Sequence, residues 1–338
     1  MSKNLAERQE LYSAERLNEL ADSGWLFHFM EKFPRVKQMR AGEEDECLKG
    51  AIDMHVHADP CSLAPRSQDY TQVAIDAARA GFRAVVRKDH YFSTIGEAEA
   101  IQRHIDHLVE TGELTNRIEV FGGVPLAQTL DSAPIERALR LPAFKMIWFN
   151  PVGGMRLVED GRVRPEVERI IKIARDNGLG LNLGQPSHSR AANEGLGDYE
   201  GLAPLAAMVA EIGAKAVLDH PLSSFTTEQI VSLMSEKIFA GLFCYPSLPS
   251  VAKAPVVDPE RTHELVRRLG PGKCLVASDV GMLLEATQLE AMRMMARLLL
   301  VLDCSHADLD LMMKINPAIL LGLEPGSSTS GERQAEGQ

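Results

Sequence analysis

The chain has 338 residues, 45% of them hydrophobic and 25% charged, the composition of an ordinary globular protein. Its formal net charge of -11 argues against a nucleic-acid partner, whose phosphate backbone demands a basic patch. No stretch approaches the roughly 20 apolar residues that span a bilayer, and the charged start MSKNLAERQELYSAERL lacks the apolar segment of a signal peptide. The five cysteines (Cys47, Cys61, Cys244, Cys274 and Cys304) are widely spaced with no CxxC pair, which suits reduced thiols in a cytoplasm.

In chain order, residues 1–50 read as an amphipathic helical extension, with Leu5, Leu11, Leu17, Leu20 and Trp25-Leu26-Phe27 as its apolar positions. Eight short apolar runs follow: Ala51–His57, Phe82–Lys88, Ile118–Val124, Phe144–Phe149, Leu179–Leu183, Ala216–His220, Ile238–Cys244 and Cys274–Asp279. Segments of helical period separate them, at Ser67–Ala80, Gly96–Glu110, Ala133–Leu139, Arg164–Asn177, Leu202–Ile212, Thr226–Glu236 and Pro259–Leu269. A long helix, Leu283–Leu302, follows the last run. Gly81, Gly178 and Gly213 stand where a helix should stop before the next strand. Strand and helix alternating eight times predict an α/β protein, a (β/α)8 TIM barrel over residues 51–323. Residues 324–338, ending GSSTSGERQAEGQ, are expected to be a disordered tail.

The first run reads Ile52-Asp53-Met54-His55-Val56-His57. Alternate strand residues share a face, so His55 and His57 point together, with Met54 and Val56 toward the helices. Two imidazoles inside a barrel mouth need a use for their nitrogens, and a divalent cation is the obvious one. His55, His57, His90, His188 and His220 all fall at or just beyond strand C-terminal ends, where barrel sites are built. Asp279 closes the eighth run, placed to bind metal and to accept a proton from an activated water. Lys145 sits among apolar residues in AFKMIWF and Lys88 ends the second run. A buried neutral lysine can take up carbon dioxide and bridge two cations as a carbamate; Lys145 is preferred, and Lys88 is the alternative.

Together these residues resemble the amidohydrolase superfamily of metal-dependent barrels, over about residues 51–323. The matching positions are His55-x-His57, Lys145, His220 in VLDHP, Asp279 in ASD, and the closing LMMKINPAILLGLEP. The pattern is similar to an uncharacterised branch that carries an Arg and an Asp after HxH, here Arg66 and Asp69. That branch also has a second-strand Lys-x-His followed by Thr, here Lys88, His90 and Thr94. The superfamily usually has a His near the end of the fifth strand; Leu179–Gly184 lacks one, and His188 is the candidate to replace it from the following loop. The run RKDHY also resembles the second motif of a polymerase-and-phosphatase-like hydrolase family, which would use Asp89 and His90.

The resemblance implies a hydrolase that activates water to cleave an amide, cyclic amide or lactone of a small molecule. One or two divalent ions per chain are expected, zinc ahead of manganese: His55, His57 and Asp279 on one, His188 and His220 on the other, carbamylated Lys145 between them. Asp279 is the catalytic proton acceptor, and Arg66, Lys88 and His90 are the candidate substrate-binding residues. The alternative is a mononuclear decarboxylase of a small unsaturated or aromatic acid. Residues 1–50 and the methionine-rich Met282–Leu302 offer apolar faces, either to the barrel or to a second copy of the chain.

Overall fold

The computed structural model describes residues 30–127, 129–149, 156–184, 199–251 and 254–324. Its strands are β1 (Ile52–Val56), β2 (Ala84–Arg87), β3 (Glu119–Pro125), β4 (Phe144–Phe149), β5 (Val158–Glu159), β6 (Arg162–Val163), β7 (Gly180–Leu183), β8 (Lys215–Leu218), β9 (Ile238–Phe243) and β10 (Cys274–Ala277). Eight of them form one parallel sheet in the order β1-β2-β3-β4-β7-β8-β9-β10. Each predicted run contributes one of these strands, so the expected α/β barrel is the observed fold. The antiparallel pair β5 and β6 was not expected; it is a two-residue hairpin on the connection after β4.

Helices cross between successive barrel strands, which is why neighbours run parallel. They include Tyr70–Arg79, Ile95–Glu110, Pro165–Asp176, Tyr199–Ile212 and Pro259–Leu269. Gly81, Gly178 and Gly213 take φ of 81°, 68° and 78°, the left-handed conformation that ends a helix at little cost when no Cβ is present.

Two apolar layers result. Ile52, Met54, Ala84, Val86, Met146, Trp148, Val217 and Leu275 fill the barrel interior. A larger layer lies between the sheet and its helices, with Val56, Val85, Ile147, Leu181 and Val276 from the strands. The helix Asn316–Leu321 closes the barrel from one end, adding Ala318, Leu320 and Leu321 to the interior. Its Asn316 amide donates to the carbonyls of Pro271 and Cys274.

One expectation about β1 fails. Met54 lies in the interior and Val56 in the outer layer, whereas both were expected to face the helices. A register shift between Asp53 and Val56 is responsible. Three steps on β1 match two on β2, and the extra residue lets Met54 and His55 serve the interior in succession.

The ladder between β1 and β10 is replaced by a seam of specific bonds. The Asp279 amide donates to the His55 carbonyl at 2.9 Å, and the Ser278 hydroxyl to the same oxygen at 3.2 Å. Asp53 Oδ1 accepts the Ser278 amide at 3.0 Å.

Of the N-terminal extension, the described part holds a 3-10 turn, Pro34–Lys37, and a short helix, Glu43–Leu48. That helix rests on Gln288–Val301 through Asp45 to Arg293 at 2.5 Å and an ion pair of Glu44 with Arg297. Met292 and Met295 are fully buried in the chain's own core, whereas Met294 on the same helix is exposed. The rest of the extension and the expected tail beyond Glu324 lie outside the described residues.

Candidate metal centre

His55 leaves the bulge of β1 and enters the barrel interior, where its ring meets Phe243 at 5.1 Å and Trp148 at 6.3 Å. His57 follows on the same side, its ring 5.2 Å from that of His55. Asp279 comes from just beyond β10. Its Oδ1 lies 3.2 Å from His55 Nε2 and 3.1 Å from His57 Nε2. Its Oδ2 lies 3.7 Å from His220 Nε2, just beyond β8. Of the six residues expected to hold metal, these four gather at the C-terminal mouth.

Asp279 and His220 take φ of 50° and 29°. Non-glycine residues rarely occupy this region, and such strain gathers at functional sites because the surroundings hold a side chain where it is needed. Around His220 the restraint is local: its Nδ1 is 3.0 Å from the Ser223 hydroxyl, which also donates to the His220 carbonyl.

Asp219 is a member of the cluster that the sequence reading passed over. One of its oxygens is 3.8 Å from His55 Nδ1, the other 3.7 Å from His220 Nε2. The Asn182 amide donates to it at 3.1 Å from β7, the fifth barrel strand, where a histidine was looked for and not found. The signal lay in the sequence: Asp219-His220 ends its run just as Asp279 ends the eighth, but an aspartate beside a histidine reads as an ordinary cap.

Two overlapping groups have ligand geometry, His55 with His57 and Asp279, and Asp219 with His220 and Asp279. Both ring nitrogens of fully buried His55, and Nδ1 of His57, lack a hydrogen-bond partner among the described residues. Orphaned buried nitrogens are costly unless a ligand uses them, so this donor set fits a divalent cation. Burial also pushes His55 down to about 3 and His57 well below the usual imidazole range, against the pull of Asp279 on His55. Both rings are neutral near pH 7, the form that binds metal.

The remaining expectations divide. Lys145 is not at the centre. It is the second residue of β4, about 13 Å of strand from the C-terminal end at 3.3 Å per residue. Its ammonium lies 5.4 Å from the Phe121 ring, and its charge acts on Lys215, which opens β8 at the barrel's other end. Lys145 is only half-buried, and its apolar neighbours said nothing about its height along the strand. Asp89 is not a free ligand either: it accepts the Ser62 amide and hydroxyl and the amides of Tyr91 and Phe92. This removes the Asp89 and His90 alternative. His188 lies outside the described residues.

Arg66 and Lys88 are buried, and His90 half-buried, beside the cluster. The His90 ring stacks on His57 at 4.7 Å with 6° between planes. Burial, with the charges of Lys88 and Arg66, holds the His90 imidazole far below its usual range. Arg87 instead serves structure, donating to the Ala58 and Pro60 carbonyls and pairing with Glu97.

A model of a family of unknown function, DUF6282, matches residues 50–240, more than half of the chain. The chain belongs to that family. The DUF6282 match takes in His55, His57, Arg66, Lys88, His90, Asp219 and His220, while Asp279 lies beyond it. No curated protein matches the chain in sequence.

Solved structures share the fold of this DUF6282 member. An amidohydrolase from Pseudomonas aeruginosa is 9% identical with a TM-score of 0.55, covering 84% of this chain and 100% of its own. A probable 2-pyrone-4,6-dicarboxylic acid hydrolase from Acinetobacter baumannii is 13% identical at 0.52, covering 81% and 100%. A zinc-bound amidohydrolase from Burkholderia multivorans is 13% identical at 0.51, covering 81% and 99%. The barrel is thus the one found in these amidohydrolase structures.

Proposed function

We propose that this chain is a metal-dependent hydrolase that uses an activated water to cleave an amide, cyclic amide or lactone bond of a small molecule. One observation carries the reading: fully buried His55, neither of whose ring nitrogens makes a hydrogen bond among the described residues, stands 3.2 Å from a carboxylate that also reaches His57 and His220. The likeness to barrels described as amidohydrolases agrees with it.

His55, His57 and Asp279 would hold the ion, zinc favoured and manganese second; Asp219 and His220 offer a neighbouring position around the same Asp279. When bound, such a cation lowers the pKa of a water toward about 7 and polarises a carbonyl. The chain's own residues do the rest. Asp279, set between the two groups, takes the proton from the water and returns it to the leaving group. Trp148 and Phe243 wall off the inner side of His55 from water.

Asp279→Asn tests the role directly, because asparagine tolerates the positive φ and keeps the shape. Turnover of a panel of cyclic amides and lactones is expected to fall by about 10²–10⁴-fold, with the melting temperature nearly unchanged. A fully active variant would refute the assignment.

The displacement of Lys145 from the centre keeps a second reading open, a mononuclear decarboxylase of a small unsaturated or aromatic acid. Carbon dioxide release from such acids, with no hydrolysis across the panel, would decide for it.

A further inference from the structure

Two cations border the centre without a counter-charge. Arg66 is 9% exposed and Lys88 is 4% exposed. Among the described residues neither side chain makes an ion pair or a hydrogen bond, and Arg66 Nε is buried without a partner. The nearby carboxylates are engaged elsewhere. Asp89 is saturated by Ser62, Tyr91 and Phe92. Asp59 accepts the backbone amide of Arg66 rather than its guanidinium, and Glu97 pairs with Arg87. Asp219 and Asp279 face the histidines.

Charges so little exposed that lack a partner are expensive, so two of them beside one cluster of metal-ligand candidates call for an anion. A divalent ion at the centre sharpens the need. Together with Arg66 and Lys88 it outweighs Asp219 and Asp279 by two positive charges.

The cations also have a side. The Lys88 charge is felt by His55, His57 and His90, and that of Arg66 by His57 and His90. By position, Lys88 directly follows β2, and Arg66 lies on the connection after β1, its backbone bridged to Met282. Asp219 and His220 occupy the opposite side, beyond β8. His90, stacked on His57, adds an Nδ1 with no hydrogen-bond partner among the described residues.

We propose that Arg66 and Lys88 form an anion subsite and that the substrate is a small carboxylic acid whose carboxylate rests on them. Its scissile carbonyl then points to Asp279 and its leaving group to the β8 side. The guanidinium fork matches a carboxylate edge with two donors, and Lys88 supplies a point charge. The word substrate rests on the hydrolase reading; the subsite does not.

Calorimetric titration of the zinc-loaded full chain, repeated after chelation, tests the proposal with matched acid and amide pairs. The probes are acetate, benzoate, succinate and glutarate, each against its neutral amide. At least one acid is expected to bind about tenfold tighter than its amide, a preference of about 1.4 kcal/mol. The preference should survive chelation and disappear in Arg66→Met and in Lys88→Met, each checked for fold by circular dichroism. Arg66→Lys and Lys88→Arg should keep part of it. Equal binding of acids and amides across the panel overturns the subsite, as does a preference unchanged in both Met variants or one lost on chelation. Acid binding without any hydrolysis upholds the subsite and removes the hydrolase reading. Hydrolysis of neutral substrates with equal acid and amide binding does the reverse.

Discussion

His55, His57 and His90 are imidazoles that burial keeps neutral, and this has a consequence for stability. In the unfolded chain each takes a proton near pH 6.5, whereas the folded protein resists protonation until far lower pH. The unfolded state therefore binds more protons below about pH 6.5, and stability falls as pH falls. The metal-free protein is expected to lose melting temperature steadily from pH 6.5 to 5, and His90→Gln to lose it less steeply. Equal slopes would mean that His90 titrates normally. Much of this site was legible residue by residue. The HxH spacing pointed to two of the clustered residues, and strand-end position to His220 and Asp279. Lys145 was misplaced because hydrophobic neighbours say nothing of height along a barrel, and Asp219 was missed because an aspartate beside a histidine reads as an ordinary cap.

The β1 element shows what periodicity alone cannot read. Strict alternation put Met54 on the wrong face, since a bulge leaves no mark in a five-residue strand of mixed polarity. The same stretch carries Asp53, whose Oδ1 accepts the amides of Ser278 and His55 and so ties β1 to β10. Burial pushes its carboxyl up to about 6. Asp53→Asn retains the acceptor and should cost little in urea denaturation. Asp53→Ala strands two buried amides and should cost about 1–3 kcal/mol. If both variants are equally stable, the seam does not depend on this side chain. Gly123 in β3 is a second such point. A Cβ there would strike the Met146 carbonyl and the Trp148 ring, both buried, so Gly123→Ala is expected to destabilise by about 1–3 kcal/mol in the same assay.

At the scale of the molecule, the sequence's alternation of strands and helices was enough to specify a barrel, because eight parallel strands with crossing helices leave few other closed arrangements. The short β5–β6 hairpin was illegible, since two-residue strands carry no period. Among the described residues no helix is long and apolar enough to cross a membrane. Among the described residues the candidate site gathers at one end: Arg66 and Lys88 on the β1–β2 side, Asp219 and His220 on the β8 side, and Asp279 between them. The most direct test of this account is metal content per chain, measured by mass spectrometry on protein purified without chelator. It predicts at least one divalent ion per chain in the wild type and its loss in a folded His55→Ala, His57→Ala double variant. A wild type without metal that also fails to take up zinc on titration would contradict the account at its centre.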